Sequence, residues 1–389
     1  MSLRKILIHC SLPEGGLAEH SHYQAQALED AGVAVTLLTC RQFLPSHQGK
    51  RYRQLNCLLA PYSTSRNPWL RRAWFVLATL TNEFMLALVI VFGRFRHVVM
   101  ASPSETLVLL WIWPHALLRL LGVRYATNIH DPQRKPREGL GWLHGWAVRA
   151  SFLPIRYGLI HEDFDPHQPH IPAHVRCLRV PYGCMAASIS PQDGQDLRAR
   201  LAPPGSHVFL SFGYIADRKN IDACVEAVAQ IPQAVLLVAG RVASRHDKPA
   251  QCYRDQAARL GCADRVHIFD GFVPEEMIAH YFGAADSVLL TYKAEFVSQS
   301  GVLLLAANWG KPVIASSGPG PLVETVRKFD LGPVVPAEDV AALAEAMRQV
   351  IASGYSAAGW ARLREHASWA RNVAILRAAL EGRADEVAA

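Results

Sequence analysis

Arg218 and Lys219 stand side by side in SFGYIADRKN (211–220), where an apolar run gives way to a glycine turn and then to helix-forming residues. A second stretch, SQSGVLLLAANWGKPVIAS (298–316), repeats the order of turn, helix and strand around Ser300, Gly301 and Val302. Free backbone N–H groups at a helix start, together with the positive end of the helix dipole, suit an anion. Cations at that same end oppose the dipole, so Arg218 and Lys219 are best explained by an anion between them and the helix. Either turn alone reads as an ordinary strand–turn–helix unit. Both together read as the two sides of a diphosphate site, with Gly213 at the first turn.

His130 and Asp131 follow the apolar stretch 124–129, at the end of a strand where open α/β sheets place their sites. Either one is a candidate general base for an attacking hydroxyl, or, where no protein base is needed, His130 is a positioning group. The plain alternative is an Asp-Pro turn with a capping histidine. HEDFDPHQPH (161–170) gathers His and acidic residues, but without an i, i+4 His pair or fixed ligand spacing. It reads as a polar loop, with Glu162 facing the site, and no metal is expected.

The elements that hold these residues alternate. KILIHCS (5–11) is a strand, PEGG a turn, 20–32 a helix and 33–39 the next strand, with further strands at 97–101, 124–129, 157–161 and 176–181. Residues 186–206 are polar, end in Pro-Pro-Gly and read as a linker with one short helix. A second alternation follows, with strands at 207–213, 234–240, 265–269, 286–291, 312–315 and 333–335. The fold class is therefore α/β, with two doubly wound domains (1–185 and 207–356) and a cleft between them. A helical tail (357–389) is expected to pack back across the junction.

With 389 residues, 50% hydrophobic and 19% charged, the chain can bury a core in each domain. The net charge of +7 is uneven: residues 1–185 hold 20 Lys/Arg against 11 Asp/Glu. A basic first half points to an anionic partner such as a membrane surface or a pyrophosphate-bearing lipid. Nucleic acid ranks last, since no recognised motif for it is present. Eight scattered cysteines without a C-x-x-C pair, and an N-terminus lacking a secretory apolar core, fit a cytoplasmic protein with reduced thiols. Residues 73–92 approach the length of a membrane span but carry Asn82 and Glu83. With 106–122 and the flanking arginines 71, 72, 94, 96 and 119, they suit a helix lying on a membrane at the inner face, or a plain domain core.

These residues resemble the GT-B glycosyltransferases, most closely glycosyltransferase family 4, over nearly the whole chain and most strongly from 207 to 336. Gly15-Gly16 is similar to that family's N-terminal glycine loop, NIHDP to its cleft-histidine segment, and VPYG (180–183) to its Pro-His-Gly, with Tyr182 for the histidine. FGYIADRKN is similar to the phosphate turn, with Lys219 on the usual lysine and Tyr214 on the usual arginine. The resemblance implies that Gly240, Phe272 and Val273 serve base and ribose recognition, with Glu324 completing the pattern. It also implies a nucleotide-diphosphate-sugar donor, a saccharide or lipid-linked acceptor, retention, and no cofactor. One departure stands out: the two glutamates usual around the last phosphate turn are Val297 and Leu305 here. Glu295, two residues early, or Glu324 is the nearest substitute. A non-catalytic relative that only binds, or another GT-B enzyme such as an epimerase or phosphorylase, is the competing reading.

Overall fold

The computed structural model describes residues 3–44, 49–130, 141–161, 171–184, 190, 192–356 and 358–386. It divides into two compact units, Met1–Gly183 with Ala367–Ala389, and Cys184–His366.

The first unit is a seven-stranded parallel sheet. Its strands are β1 (Lys5–His9), β2 (Ala34–Cys40), β3 (Arg53–Leu58), β4 (His97–Met100), β5 (Arg124–Ile129), β6 (Ile155–His161) and β7 (Arg176–Val180). They lie in the order β3-β2-β1-β4-β5-β6-β7, every pair parallel. Crossovers between parallel strands need helices, and here they are α1 (Gly16–Asp30), α2 (Pro68–Gly93), α3 (Val108–Leu120) and α4 (Gly141–Ser151). β1 is apolar and buried beyond Lys5, as a strand covered on both faces must be. β3 was not anticipated. It is an edge strand, RQLNCL, whose exposed and half-buried positions give no apolar run to read.

The second unit repeats the plan with five parallel strands in the order β10-β9-β8-β11-β12. They are β8 (His207–Phe212), β9 (Ala234–Gly240), β10 (Val266–Asp270), β11 (Ser287–Thr291) and β12 (Val313–Ser316). The strand expected at 333–335 is reduced to one bridge, Ala315 with Val334, made by the Ala315 amide to Pro333 O and the Val335 amide to Ala315 O, because Pro333 has no N–H to extend it. The helices are α5 (Gln195–Leu201), α6 (Ile221–Ala229), α7 (Ala250–Arg259), α8 (Glu275–Ala284), α9 (Gly301–Ala306), α10 (Pro321–Phe329), α11 (Val340–Ser353) and α12 (Ala358–His366). Part of the stretch read as a linker is tied into this unit. Arg198 of α5 donates to Ala284 O at 3.0 Å, Ser206 O at 2.9 Å and Asp286 Oδ2 at 2.8 Å.

The chain then returns to the first unit as α13 (Trp369–Glu381), which adds Val373, Leu376, Ala379 and Leu380 to that unit's core. A buried polar network fixes its register. Gln24 of α1 donates to Asn372 Oδ1 at 3.0 Å and accepts from Asn128 Nδ2 at 3.0 Å, while Asn372 donates to Pro181 O at 2.9 Å. Each amide is buried, so each bond replaces one that water would have supplied. Leu376 is fully buried. Leu376→Ala is therefore expected to destabilise the first unit by about 2–5 kcal/mol, read as a lower urea midpoint; an unchanged midpoint would show that α13 is not part of this core.

Candidate functional site

In parallel α/β sheets the carboxyl ends of the strands carry the site, because helix starts and exposed amides converge there. In the second unit β8 ends at Gly213 and β9 at Gly240, and the two turns touch. A Cβ built on Gly240 would lie 2.1 Å from Gly213 O, and Gly240 holds φ +151°, so no side chain fits at that position. The same contact continues outward, with the Ile215 amide donating to Arg241 O at 2.8 Å.

Lys219 is buried directly against this turn. Its ammonium donates to Phe212 O and lies 3.3 Å from where a Cβ on Gly213 would be. Burial, and secondarily the neighbouring Arg218, lowers its pKa from the ordinary lysine value to about 7. A buried amine poised between its charged and neutral forms is a strong receptor for an anion, which would restore the proton. Arg218 is exposed, and its carbonyl accepts from the Lys293 amide at 2.9 Å, while the Lys219 carbonyl accepts from Thr291 Oγ1 at 3.1 Å. These bonds hold the first turn against the end of β11, from which the second turn springs.

The second turn is braced by contacts that no local pattern announces. Tyr292 stacks on Phe296 with centroids 3.9 Å apart, and its hydroxyl shares a 3.0 Å hydrogen bond with Ser300 Oγ. The Ser300 amide already donates to Gln299 Oε1 at 2.9 Å, so of the three amides expected to face an anion, those of Gly301 and Val302 at the start of α9 have no such side-chain acceptor among the described residues. Glu295 is exposed on this loop. Val297 presents its carbonyl to Gly320, whose Cβ would come within 2.6 Å of it, and Leu305 is half-buried on α9. Glu324, in the first turn of α10, is exposed and pairs with Arg327 at 3.3 Å. Phe272, exposed, and Val273, half-buried, follow the end of β10, where the Gly271 amide donates to Gly240 O at 3.2 Å.

Tyr214 directly follows Gly213 and carries Arg241 over its ring at 5.3 Å, with a 3.1 Å hydrogen bond to its hydroxyl. A cation thus stands beside the position where the resemblance leads one to expect arginine.

The first unit has its own cluster at the equivalent sheet edge. Gly15 precedes α1, Gly16 begins it, and the Cβ of a residue at 16 would lie 3.9 Å from the Tyr182 hydroxyl. His130, after β5, meets His20 of α1 edge-on at 4.6 Å; His20 also meets Tyr182 at 5.3 Å and Trp369 at 4.9 Å. Burial lowers the His130 pKa to about 4. A neutral imidazole of that basicity positions a hydroxyl better than it takes a proton from one. His20 was missed in the sequence because its spacing on α1 is that of a core position. Asp131 and Glu162 lie outside the described residues.

Residues 206–353 match the family described as glycosyl transferases group 1. That segment belongs to the group 1 glycosyltransferases. The chain is 28% identical over 167 residues to the lipopolysaccharide core biosynthesis mannosyltransferase LpcC of Rhizobium leguminosarum bv. viciae, covering 42% of this chain and 46% of that one. It is 28% identical over 189 residues to the D-inositol 3-phosphate glycosyltransferase of Acidothermus cellulolyticus, covering 46% and 41%. The chain thus spans less than half the length of the curated relatives it matches. The Anabaena protein HepE, solved in complex with UDP, superposes with a TM-score of 0.69 at 16% identity, covering 98% of this chain and all of HepE. The fold is GT-B.

The lysine gives a sign to the pH dependence. Below pH 7 both folded and unfolded chains carry the Lys219 proton. Between about 7 and the ordinary lysine value of 10.5 only the unfolded chain does, so folding stability rises with pH across that window. Wild type should therefore gain stability relative to Lys219→Met as pH climbs from 7 to 10, with a flat difference below 7. Thermal melts of both proteins across that range check it, and a difference independent of pH would refute the buried-cation assignment.

Proposed function

We propose that the protein is a glycosyltransferase that takes a sugar from a nucleoside-diphosphate sugar and places it on a saccharide acceptor in surface polysaccharide assembly. The observation that carries this is Lys219, a buried amine with a lowered pKa against the Gly213 turn, at the carboxyl edge of a parallel sheet. Transfer requires the charge growing on the leaving diphosphate to be neutralised. Lys219, Arg218 and the amides of Gly301 and Val302 would do so without a metal, each well-placed donor lowering the barrier by about 3–4 kcal/mol. The similarity to the lipopolysaccharide core mannosyltransferase LpcC supports the saccharide reading, and the UDP bound to HepE supports the donor reading.

We read the transfer as retaining, for which no protein base is needed; burial lowers the His130 pKa to about 4, in keeping with a positioning role. His130 and His20 would then position sugar hydroxyls. Glu295, exposed two residues before Val297, is the carboxylate we assign to a sugar hydroxyl. We read the acceptor as lipid-linked and the protein as cytoplasmic, a setting in which its eight free cysteines stay reduced. The second reading, a subunit that binds the nucleotide without turnover, is favoured by Val297 and Leu305 alone.

UDP, GDP or ADP should raise the melting temperature, since a ligand at 100 times its Kd stabilises by about 2.7 kcal/mol. Lys219→Ala should abolish the shift. No shift with any of the three would overturn the donor reading. A shift without any hydrolysis or transfer of the matching nucleotide sugar would favour the binding subunit.

A further inference from the structure

Helix α2 is apolar on both faces. Its buried face carries Thr79, Asn82 and Glu83 among alanines and aliphatics, while Leu77, Phe84, Leu88 and Val91 repeat along the exposed side at helical spacing. Asn82 is satisfied there, exchanging 2.8 Å hydrogen bonds with the backbone of Leu59. The helix that packs beside it does the same. α3 buries His115, bonded to Tyr125 and the Glu83 carbonyl, and exposes Leu110, Trp113, Leu117 and Leu120. α4, packed on α3, exposes Trp142, Leu143 and Trp146. Soluble monomers do not present large apolar side chains on three adjoining helices without a use for them.

The charge around this face selects its partner. Residues 60–130 contain seven arginines and only two acidic residues, Glu83, which is buried, and Glu105. Arg66, Arg71 and Arg72 flank the start of α2, and Arg94 and Arg96 flank its end, all exposed. A second copy docked on this face would set arginines against arginines, with the half-buried Glu105 the one carboxylate of residues 60–130 besides the buried Glu83. An anionic lipid surface supplies both the apolar phase and the opposite charge.

Topology decides how the helix meets that surface. α2 is long and apolar enough to cross a bilayer by length and composition. Yet it joins β3 to β4, which lie in one sheet with β2 and β1 between them. A span would place two strands of a single hydrogen-bonded sheet on opposite sides of the membrane. The first two turns of α2 are exposed, bringing Trp69, Leu70, Trp74 and Phe75 beside Arg71 and Arg72. Aromatic and arginine side chains mixed in this way belong at the headgroup level.

We propose that α2, α3 and α4 form a seat on which the first unit lies, in the plane of the interface, on an anionic lipid bilayer. The inference goes beyond the donor reading and does not depend on nucleotide binding.

The full chain is mixed with vesicles of phosphatidylcholine alone or with phosphatidylglycerol and sedimented. The expected result is binding to the anionic vesicles that weakens as salt is raised. Leu88→Asp with Trp113→Asp should reduce the partition roughly tenfold or more, and Arg71→Ala with Arg72→Ala by roughly fivefold for each arginine. All four side chains are outside the core, so wild-type melting temperatures and any nucleotide shift should persist, separating this outcome from failure of the donor reading. No sedimentation with either vesicle, or unchanged partition of the Leu88→Asp, Trp113→Asp protein, would overturn the proposal. So would a dimer in the ultracentrifuge, without lipid, that the same pair dissociates.

Discussion

The second unit depends on a contact between two backbones. Gly240 and Gly213 end neighbouring parallel strands so close together that a single methyl group on Gly240 would collide with the Gly213 carbonyl. The close approach leaves Lys219 room beneath the turn and sets Tyr214 and Arg241 side by side above it. A buried ammonium is costly unless something answers its charge, and Phe212 O answers only in part. The cost appears as the lowered pKa, which an anion at the proposed donor site would raise again.

In the first unit, order comes from polar groups in the interior. Gln24, Asn128 and Asn372 join α1, β5 and α13 through amide hydrogen bonds. His20 lies one helical turn from Gln24, His130 two residues beyond Asn128, and Tyr182 next to the carbonyl that Asn372 holds. The network therefore sets the spacing of the ring cluster from behind. The same unit turns its polar residues inward at Asn82, Glu83 and His115 while leucine, phenylalanine and tryptophan face out. Burial pushes the Glu83 carboxyl up to about 8, so it sits mostly as a neutral acid at neutral pH and α2 carries no buried charge there.

Much of the framework was legible in the chain. Apolar runs of strand length, separated by helix-length segments, gave the two doubly wound sheets, and glycine followed by Arg-Lys marked the turn that buries Lys219. β3 escaped because an edge strand with one exposed face carries a polar sequence, and 333–335 looked like a strand but makes a single bridge. Residues 186–206 read as a linker with one short helix from their polarity, while Arg198 ties that helix to α8 and Asp286 before β11.

The sequence alone determined the fold class, the lysine turn and the replacement of the paired glutamates by Val297 and Leu305, because periodicity and local turn chemistry are written in neighbouring residues. Only the tertiary structure decided that His20 joins His130, that Gln299 occupies the Ser300 amide, that Tyr292 and Phe296 brace the second turn, and that α2 leaves a second apolar face outward. Periodicity shows that a helix has two faces. Which face is covered depends on what the rest of the chain packs against it, and the partners of Gln24 lie 104 and 348 residues away.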